Sequence, residues 1–336
     1  MENEKKHFFS ISMPIYNAER FLDEAIASVI NQDYDAYELI LVDDNSSDNS
    51  IKICEAWKNK YPQKIVLAKN RIKGSLYARR ECIHHSKGEY LYIMDSDDYL
   101  VDTSALKKWN CIINSTNCDL IIFNEMNHRK KIFDEPSFEK GKIIEQEELV
   151  LIYNAILTDR SMNVVWDKVF KIDLVDFSDD EYKKNSFLSY GTDFFQCCEI
   201  LSNARKIYYL NEQMYYYRKN PNSITHSYNP NMLNSAESII SRRKKISKQW
   251  KYKPDNLTEK LEASTLVEYC TVINKLKLAN ITINEIVAVL SCIGENANFI
   301  NSYKAKTLLP RMKRLVLTML HFKLYKIVAM ILKLIP

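Results

Sequence analysis

The sequence predicts an α/β domain, with a mostly parallel sheet and helices on both faces, followed by an α-helical C-terminal region. Over about the first 125 residues, strand-like apolar runs alternate with segments of helical periodicity. The run Leu39–Val42 is apolar at every position, and from Asn231 onward the pattern stays helical. Strands that are apolar on both faces and separated by helices are typical of a parallel sheet covered on both sides. A length of 336 residues fits one large domain with an appendage.

The elements follow from periodicity, because apolar residues recur every second position in strands and every third or fourth in helices. The predicted strands of the first half are 8–13, 39–42, 65–67, 90–94 and 119–123. The predicted helices between them are 21–30, 51–60, 75–86 and 105–115. A polar loop over 127–141 and a mixed segment to 225, with a strand at 214–217, come next. The last predicted helices are 233–249, 257–278, 283–297 and 304 to the end.

The net charge of +4 is concentrated in the tail. Residues 311–336 contain six Lys or Arg and no acid, which leaves the remainder of the chain at −2. A generally basic nucleic-acid-binding protein would spread its positive charge over a binding face. We therefore expect no nucleic-acid partner.

Cysteine usage and the N terminus predict a cytoplasmic protein. The eight cysteines include no Cys-x-x-Cys pair and no zinc-type spacing, so we expect buried free thiols in a reducing compartment. The polar segment Met1–His7 does not resemble a secretory signal, and no apolar run reaches the roughly 18 residues of a membrane span.

Acidic clusters follow two of the predicted strands. Val42 runs into Asp43-Asp44, and Met94 runs into Asp95-Ser96-Asp97-Asp98. Ligands of parallel sheets collect at the carboxyl ends of the strands, so both clusters should line one crevice. Carboxylates two residues apart suit Mg²⁺ or Mn²⁺ bound to a diphosphate. Helix capping also explains Asp and Ser at such places, so each cluster alone leaves the choice open.

A basic segment separates the two clusters. It runs from Lys69 to Gly74 and is followed in the next helix by Arg79 and Arg80. Basic groups beside a glycine turn at a helix start can meet phosphate charge. A solvated basic helix end explains the same residues equally well.

Together these segments resemble glycosyltransferase family 2, the inverting enzymes with the GT-A fold. The resemblance is carried by Ser12–Asn17, Leu41–Asp48, Ala78-Arg79 and Lys87–Asp98. Weaker matches at Val165–Lys171, Tyr190–Phe195, Tyr215–Arg218 and Ser223–Thr225 look like acceptor-side elements of bacterial polysaccharide and capsule glycosyltransferases. The resemblance implies a GT-A domain over 1–228, with a nucleotide-binding half at about 8–125 and an acceptor half at about 126–228. The helical region 229–336, with a basic amphipathic tail at 304–336, is not covered.

The resemblance also implies roles for single residues. The nucleotide and its sugar would be bound by Pro14, Tyr16, Asp44, Arg79 and Asp95. Asp97 would hold Mn²⁺ or Mg²⁺ on the diphosphate, with His226 as a second ligand or else a plain surface histidine. Asp193 stands where the family has its catalytic base. Two positions depart from the family: Thr192 replaces an acid, and Arg80 stands where the family usually has Asn. The tyrosines Tyr215–Tyr217 would either stack on a sugar or pack internally.

The implied activity is a metal-dependent, inverting transfer of a hexose or N-acetylhexosamine in surface polysaccharide synthesis. The expected donor is a nucleotide sugar, with UDP chosen by family frequency, and the acceptor is a hydroxyl of a glycan or lipid-linked glycan. The alternative is a non-catalytic nucleotide-sugar or glycan-binding protein on the same fold. A nucleotidyltransferase would need a glycine- and basic-rich loop where this chain has Pro14–Asn17, and the Gly-x-Gly-x-x-Gly of dinucleotide oxidoreductases is absent.

The tail raises the question of a membrane contact. Projected as one helix, its polar and basic residues gather on one stripe, formed by Arg311, Arg314, Thr318, His321, Lys326 and Lys333. A wide apolar arc with basic margins fits a helix lying on the inner face of the plasma membrane. A helix packed on the protein's own core or on a partner subunit fits the same pattern, so both interpretations stay open.

Overall fold

The computed structural model describes residues 5–126, 141–158, 162–218 and 228–334. The chain divides into two compact units. The first comprises Met1–Ile152, Ser161–Ser186 and Thr192–Lys219, and the second Tyr153–Arg160, Phe187–Gly191 and Asn220–Pro336. The predicted loop at 127–141 lies outside the described residues except for Gly141.

The described part of the first unit is built on a mixed nine-stranded sheet. Its strands are β1 Phe9–Ile15, β2 Tyr37–Asp43, β3 Ile65–Lys69, β4 Tyr90–Ile93, β5 Tyr99–Leu100, β6 Leu120–Glu125, β7 Lys142–Glu145, β8 Lys168–Lys171 and β9 Lys206–Tyr216. Its helices are α1 Leu22–Ile30, α2 Ser50–Lys60, α3 Ser75–His85, α4 Ala105–Thr116, α5 Leu149–Thr158 (which runs on into the second unit), α6 Asp180–Lys184 and α7 Thr192–Asn203.

The sheet order is β3-β2-β1-β4-β8-β6-β9-β5, with β7 beside β9. The strands β3, β2, β1 and β4 are parallel, as the alternation of strands and helices predicts. β8 enters antiparallel between β4 and β6, while β6 and β9 are again parallel. The strands β2 and β4, which precede the two acidic clusters, therefore both belong to the parallel half of the sheet.

Both faces of β2 are covered, which confirms the interpretation of its apolar run. Leu39 and Leu41 belong to the main core, where α1 buries residues spaced three or four apart. Ile40 and Val42 point to the other face and pack with Ala78 and Cys82 of α3. The alternating direction of successive strand side chains supplies a buried face to each helix layer.

The second unit is helical, as predicted. Its helices are α8 Met232–Ser247, α9 Leu257–Leu276, α10 Ile283–Gly294, α11 Ala297–Ser302, α12 Arg311–His321 and α13 Tyr325–Leu334. Helix α10 starts with a capping box between Thr282 and Glu285. The continuous helix predicted from residue 304 is wrong. A 3₁₀ turn at Tyr303–Leu308 ends before Pro310, and Lys323 adopts a left-handed conformation (φ +57°) between α12 and α13.

Two further findings bear on the sequence predictions. All eight cysteines are thiols outside any disulfide, and six of them are buried, while Cys111 and Cys292 are exposed. Within the described ranges, none of the helices combines the length and apolar character that crossing a bilayer requires.

Candidate active site

The two acidic clusters lie at the same edge of the sheet. Strand β1 runs between β2 and β4, and all three are parallel. At that edge the Asp44 N–H donates to the Ile15 carbonyl over 2.7 Å, and the Met94 N–H donates to the Ser12 carbonyl over 3.0 Å. Since neighbouring strands are 4.7–4.9 Å apart, the two strand ends that carry the acids are about 10 Å apart.

Asp44 is buried and held by the loop after β3. Its carboxylate accepts hydrogen bonds from the Gly74 N–H, at 3.0 Å to each oxygen, and from the Asn70 side-chain amide at 2.6 Å. Gly74 has φ +129°, a conformation that other residues rarely adopt, so the glycine lets this N–H reach the carboxylate. Burial raises the pKa of Asp44, while the two hydrogen bonds oppose the rise.

Pro14 and Tyr16 lie at the end of β1. Pro14 pairs with Val42 in the sheet register and is partly buried. The Tyr16 ring is 42% exposed, and the Lys73 ammonium lies 5.3 Å from its centre. An exposed ring at a strand end, next to the anchored Asp44 loop, offers a stacking surface for a planar base.

Arg79 connects two carboxylates from distant parts of the chain. Its guanidinium is buried, with Nη1 at 2.6 Å from Oδ1 of Asp193 and Nη2 at 3.4 Å from Oδ1 of Asp95. Nη1 also donates to the Thr192 hydroxyl over 3.2 Å. Asp193 lies in the first turn of α7. The position where the family has an acid therefore carries a hydroxyl that still contacts the arginine.

The turn after β4 orients its three aspartates differently. Asp98 is fully buried and accepts hydrogen bonds from the Tyr215 hydroxyl and from the Arg218 N–H, both at 2.7 Å. Desolvation, with the nearby Asp95 charge, raises the pKa of Asp98 to about 8. Desolvation also raises the pKa of Asp95 to about 6, against the opposing effect of Arg79. Asp97 is partly exposed, and its carbonyl accepts from Nε of Arg218 over 2.9 Å.

The chemistry of this turn suits a divalent cation bound jointly with a ligand. Within the described ranges, no three His, Cys, Asp or Glu side chains form a ready-made metal cluster. Mg²⁺ and Mn²⁺ take oxygen ligands, and Mg²⁺ is commonly held by one or two carboxylates while phosphate oxygens supply the rest. Asp95 and Asp97 fit such a donor set. His226 lies outside the described residues.

Arg80, which departs from the Asn that the resemblance implies, does not share the site of Arg79. Its side chain is completely buried, with Nη2 donating to the Asp176 carbonyl over 2.7 Å and Nε donating to Asp179 over 3.3 Å. The guanidinium lies 4.1 Å from the centre of the Tyr182 ring. Arg80 therefore fastens the segment around α6 to α3, because its side chain leaves the helix in a different direction from that of Arg79.

Two of the weaker matches in the acceptor half are internal. Asp167 and Lys168 form a fully buried ion pair at 2.7 Å. Lys168 is the first residue of β8, and Asp167 precedes the strand. Tyr215 is buried and stacks on Trp166 with ring centres 4.8 Å apart, and Tyr216 stacks on Tyr99 at 4.7 Å. The Tyr215 and Trp166 rings are therefore packed inside the first unit, whereas Tyr216 and Tyr217 are partly exposed.

Two site residues received no role from the sequence. Asn70 anchors Asp44, and Arg218 binds the turn of Asp97 and Asp98 through its backbone and side chain. Both stood inside segments that the sequence had singled out, Lys69–Gly74 and Tyr215–Arg218. Their partners are remote in the chain, so no local pattern could assign them.

Comparison with known proteins shows the family of this chain. The model described as "Glycosyl transferase family 2" matches residues 10–158. The glycosyltransferase GlyG of Streptococcus pneumoniae serotype 4 is 30% identical over 230 residues, which is 64% of this chain and 72% of GlyG. The chain belongs to glycosyltransferase family 2 and is a glycosyltransferase.

Other similar proteins include a teichoic acid biosynthesis protein and a protein whose structure was solved with UDP-GlcNAc. The minor teichoic acid biosynthesis protein GgaB of Bacillus subtilis strain 168 is 44% identical over 100 residues, or 29% of this chain and 11% of GgaB. The chain thus spans about a tenth of that relative. The crystal structure of S. aureus TarS 1–349 in complex with UDP-GlcNAc superimposes with a TM-score of 0.69 at 20% identity, covering 96% of this chain and 90% of the other. This likeness confirms the GT-A fold and the helical C-terminal region.

Proposed function

We propose that this glycosyltransferase moves a hexose or N-acetylhexosamine from a UDP-sugar to a hydroxyl of a glycan or lipid-linked glycan, with inversion, in the synthesis of a surface polysaccharide. The observation that carries the proposal is the pairing of Arg79 with both Asp95 and Asp193 at the carboxyl edge of the sheet. It unites the strand-end acids with the residue that stands at the family's base position.

Asp193 is suited to accept the proton of the attacking hydroxyl. Its Oδ1 lies 2.6 Å from the Arg79 guanidinium and accepts a hydrogen bond from the Thr192 hydroxyl over 3.4 Å. Among the described residues this leaves Oδ2 to face a substrate. A carboxylate fixed through one oxygen can take a proton on the other as the acceptor oxygen attacks the sugar carbon.

The nucleotide would lie along the edge formed by β2, β1 and β4. Tyr16 offers a ring to stack on the base, and Asp44 a buried carboxylate to accept a base N–H. TarS, a similar structure, was solved with UDP-GlcNAc, which supports UDP as the nucleotide. The teichoic acid context in the name of GgaB supports a surface polymer as the product.

The diphosphate would reach the turn of Asp95 and Asp97. These carboxylates would hold Mn²⁺ or Mg²⁺, which neutralises charge on a leaving diphosphate when bound. Arg218 holds the backbone of this turn through the Asp97 carbonyl, so the carboxylates are presented at a fixed place.

The experiment that tests the proposal measures UDP release from a panel of UDP-sugars with candidate glycan acceptors. In the Asp193→Asn variant we expect turnover to fall by about 10²–10⁴-fold, while UDP binding by calorimetry is retained. Asp180→Asn, at an exposed position on α6, is the matched control and should keep wild-type turnover. Equal turnover of Asp193→Asn and wild type would refute the assignment of the base.

A further inference from the structure

Helices α12 and α13 carry apolar side chains on two opposite sides. On the inner side, both helices pack into the core of the second unit, burying Leu317, Leu320, Tyr325, Val328, Ala329 and Leu332. On the other side lies a set of exposed apolar residues, here called the outer apolar face: Met312, Leu315, Phe322, Ile327, Met330, Ile331 and Leu334.

The outer apolar face follows from helical spacing. In α12, Met312, Leu315 and Phe322 are spaced by three and seven residues and lie on the side opposite Leu317. In α13, the series 327, 330, 331 and 334 lies opposite the buried series 325, 328, 329 and 332 in the same way. These residues are largely exposed to solvent, with exposed fractions of 68% for Met312, 65% for Phe322 and 81% for Leu334. A contiguous exposed apolar face of this kind marks an interaction site.

The charges around the face identify its partner. Arg311, Arg314, Lys323 and Lys326 are all exposed on the same two helices, and residues 311–334 contain no Asp or Glu. Apolar side chains flanked by Lys and Arg, without acids, are typical of helices that lie in the interface of anionic membranes.

A second copy of the chain would fit this face poorly. A twofold contact brings the same surface patch of both subunits together. Arg311, Arg314, Lys323 and Lys326 of one copy would then come close to the same residues of the other, with no acidic residue in either tail to compensate. The charge pattern thus favours a surface of opposite sign.

We propose that the outer apolar face binds the surface of a membrane that contains anionic lipid. The apolar side chains would enter the boundary between headgroups and acyl chains, and the four exposed cations would contact the headgroups. The inference stands on the second unit alone and does not depend on the proposed transfer reaction.

The test is sedimentation of the full chain with vesicles of phosphatidylcholine alone or mixed with phosphatidylglycerol. We expect strong binding only to the mixed vesicles, weakening with added salt. The double variant Leu315→Glu/Ile331→Glu should lower the apparent partition constant at least about tenfold. Arg314→Gln/Lys326→Gln should lower it roughly fivefold for each charge removed, on the mixed vesicles only.

The matched control is Leu278→Glu/Ile300→Glu, which places the same charges at exposed apolar positions outside α12 and α13. We expect this variant to bind vesicles as wild type does. Circular dichroism and UDP binding verify that all variants are folded. The proposal is wrong if wild type and the Leu315→Glu/Ile331→Glu variant bind vesicles equally. It is also wrong if vesicles are not bound and ultracentrifugation shows self-association that this variant abolishes, because a second copy then covers the face.

Discussion

The guanidinium of Arg79 lies 2.6 Å from the carboxylate of Asp193, joining the helix that follows β3 to the first turn of α7. The same guanidinium reaches Asp95 at the end of β4. One buried cation therefore connects the proposed base to the strand-end carboxylates, which makes Arg79 the residue that sets their relative positions.

Replacing Arg79 by Lys should impair catalysis more than nucleotide binding. Lysine keeps the charge but loses the planar fork that contacts two carboxylates at once. We expect kcat to fall on the order of 10²-fold, because a displaced base misses the acceptor hydroxyl, while the Kd for UDP changes by much less. Thr192→Val removes the 3.2 Å hydrogen bond to Arg79 and the 3.4 Å hydrogen bond to Asp193 but keeps the guanidinium, so it is the milder control. Equal losses in the two variants would contradict a special role for the guanidinium.

Removing divalent metal should weaken donor binding. Asp95 and Asp97 supply fewer ligands than a divalent ion needs, so the diphosphate and the ion should bind together. We expect the calorimetric affinity for UDP to drop at least about tenfold in EDTA and to recover with Mn²⁺. Asp97→Asn should abolish the recovery, and Asp180→Asn should preserve it. Unchanged UDP affinity and turnover in EDTA would show that the reaction needs no metal.

Gly74→Ala should reduce both stability and nucleotide affinity. A side chain at φ +129° is strained, and the cost of such strain is about 1–3 kcal/mol. Relief of the strain moves the N–H away from Asp44, whose buried carboxylate then loses a hydrogen bond. Ser75→Ala, at the next residue, keeps the loop conformation and serves as the control. Urea denaturation and UDP calorimetry measure the two effects, and a variant that keeps wild-type values in both would exclude this role for the glycine.

Arg80→Met should destabilise the protein without changing its affinity for UDP. The substitution leaves Asp179, which is only 12% exposed, without the guanidinium partner, and breaking such a buried pair costs about 3 kcal/mol. Lys52→Gln, an exposed change, should stay within about 0.5 kcal/mol of wild type. A large loss of UDP affinity in Arg80→Met would show that Arg80 contributes to the nucleotide site and would contradict a purely structural role.

The stabilising effect of Asp102 should disappear at low pH. Hydrogen bonds from Lys108 and from the Ser104 N–H lower the pKa of Asp102 from 3.8 to about 2. Its contribution is therefore present above about pH 4 and is lost as pH falls towards 2. Since the side chain is 34% exposed, we expect Asp102→Asn to lower the unfolding free energy by only about 1 kcal/mol at pH 7. Urea denaturation of wild type and Asp102→Asn between pH 7 and 3 should show the difference in unfolding free energy decreasing below pH 4. Asp33→Asn, whose Lys107 pair is more exposed, is the control and should stay within about 0.5 kcal/mol of wild type at pH 7.

The sequence alone was sufficient to predict the fold class and the acidic clusters at the carboxyl edge of the sheet. Runs that are apolar on both faces require a covered parallel sheet, and parallel neighbours must end at the same edge. Hence the sequence was enough to predict that Asp44 and the cluster at Asp95–Asp98 lie near each other. Periodicity likewise identified the helical C-terminal region, because it is a local property of the chain.

Tertiary packing decided what local patterns leave open. Arg79 and Arg80 are adjacent and chemically identical, and only the packing of α3 directs one to Asp193 and the other to Asp179. The tail pattern was compatible with core packing and with a helix on a membrane surface. In the structure, the break at Lys323 separates two helices, and each has one buried apolar face and one exposed apolar face. The sequence thus determined which segments are apolar, acidic or helical. Contacts between residues far apart in the chain determined which side chains meet, because burial and charge pairing depend on the whole fold.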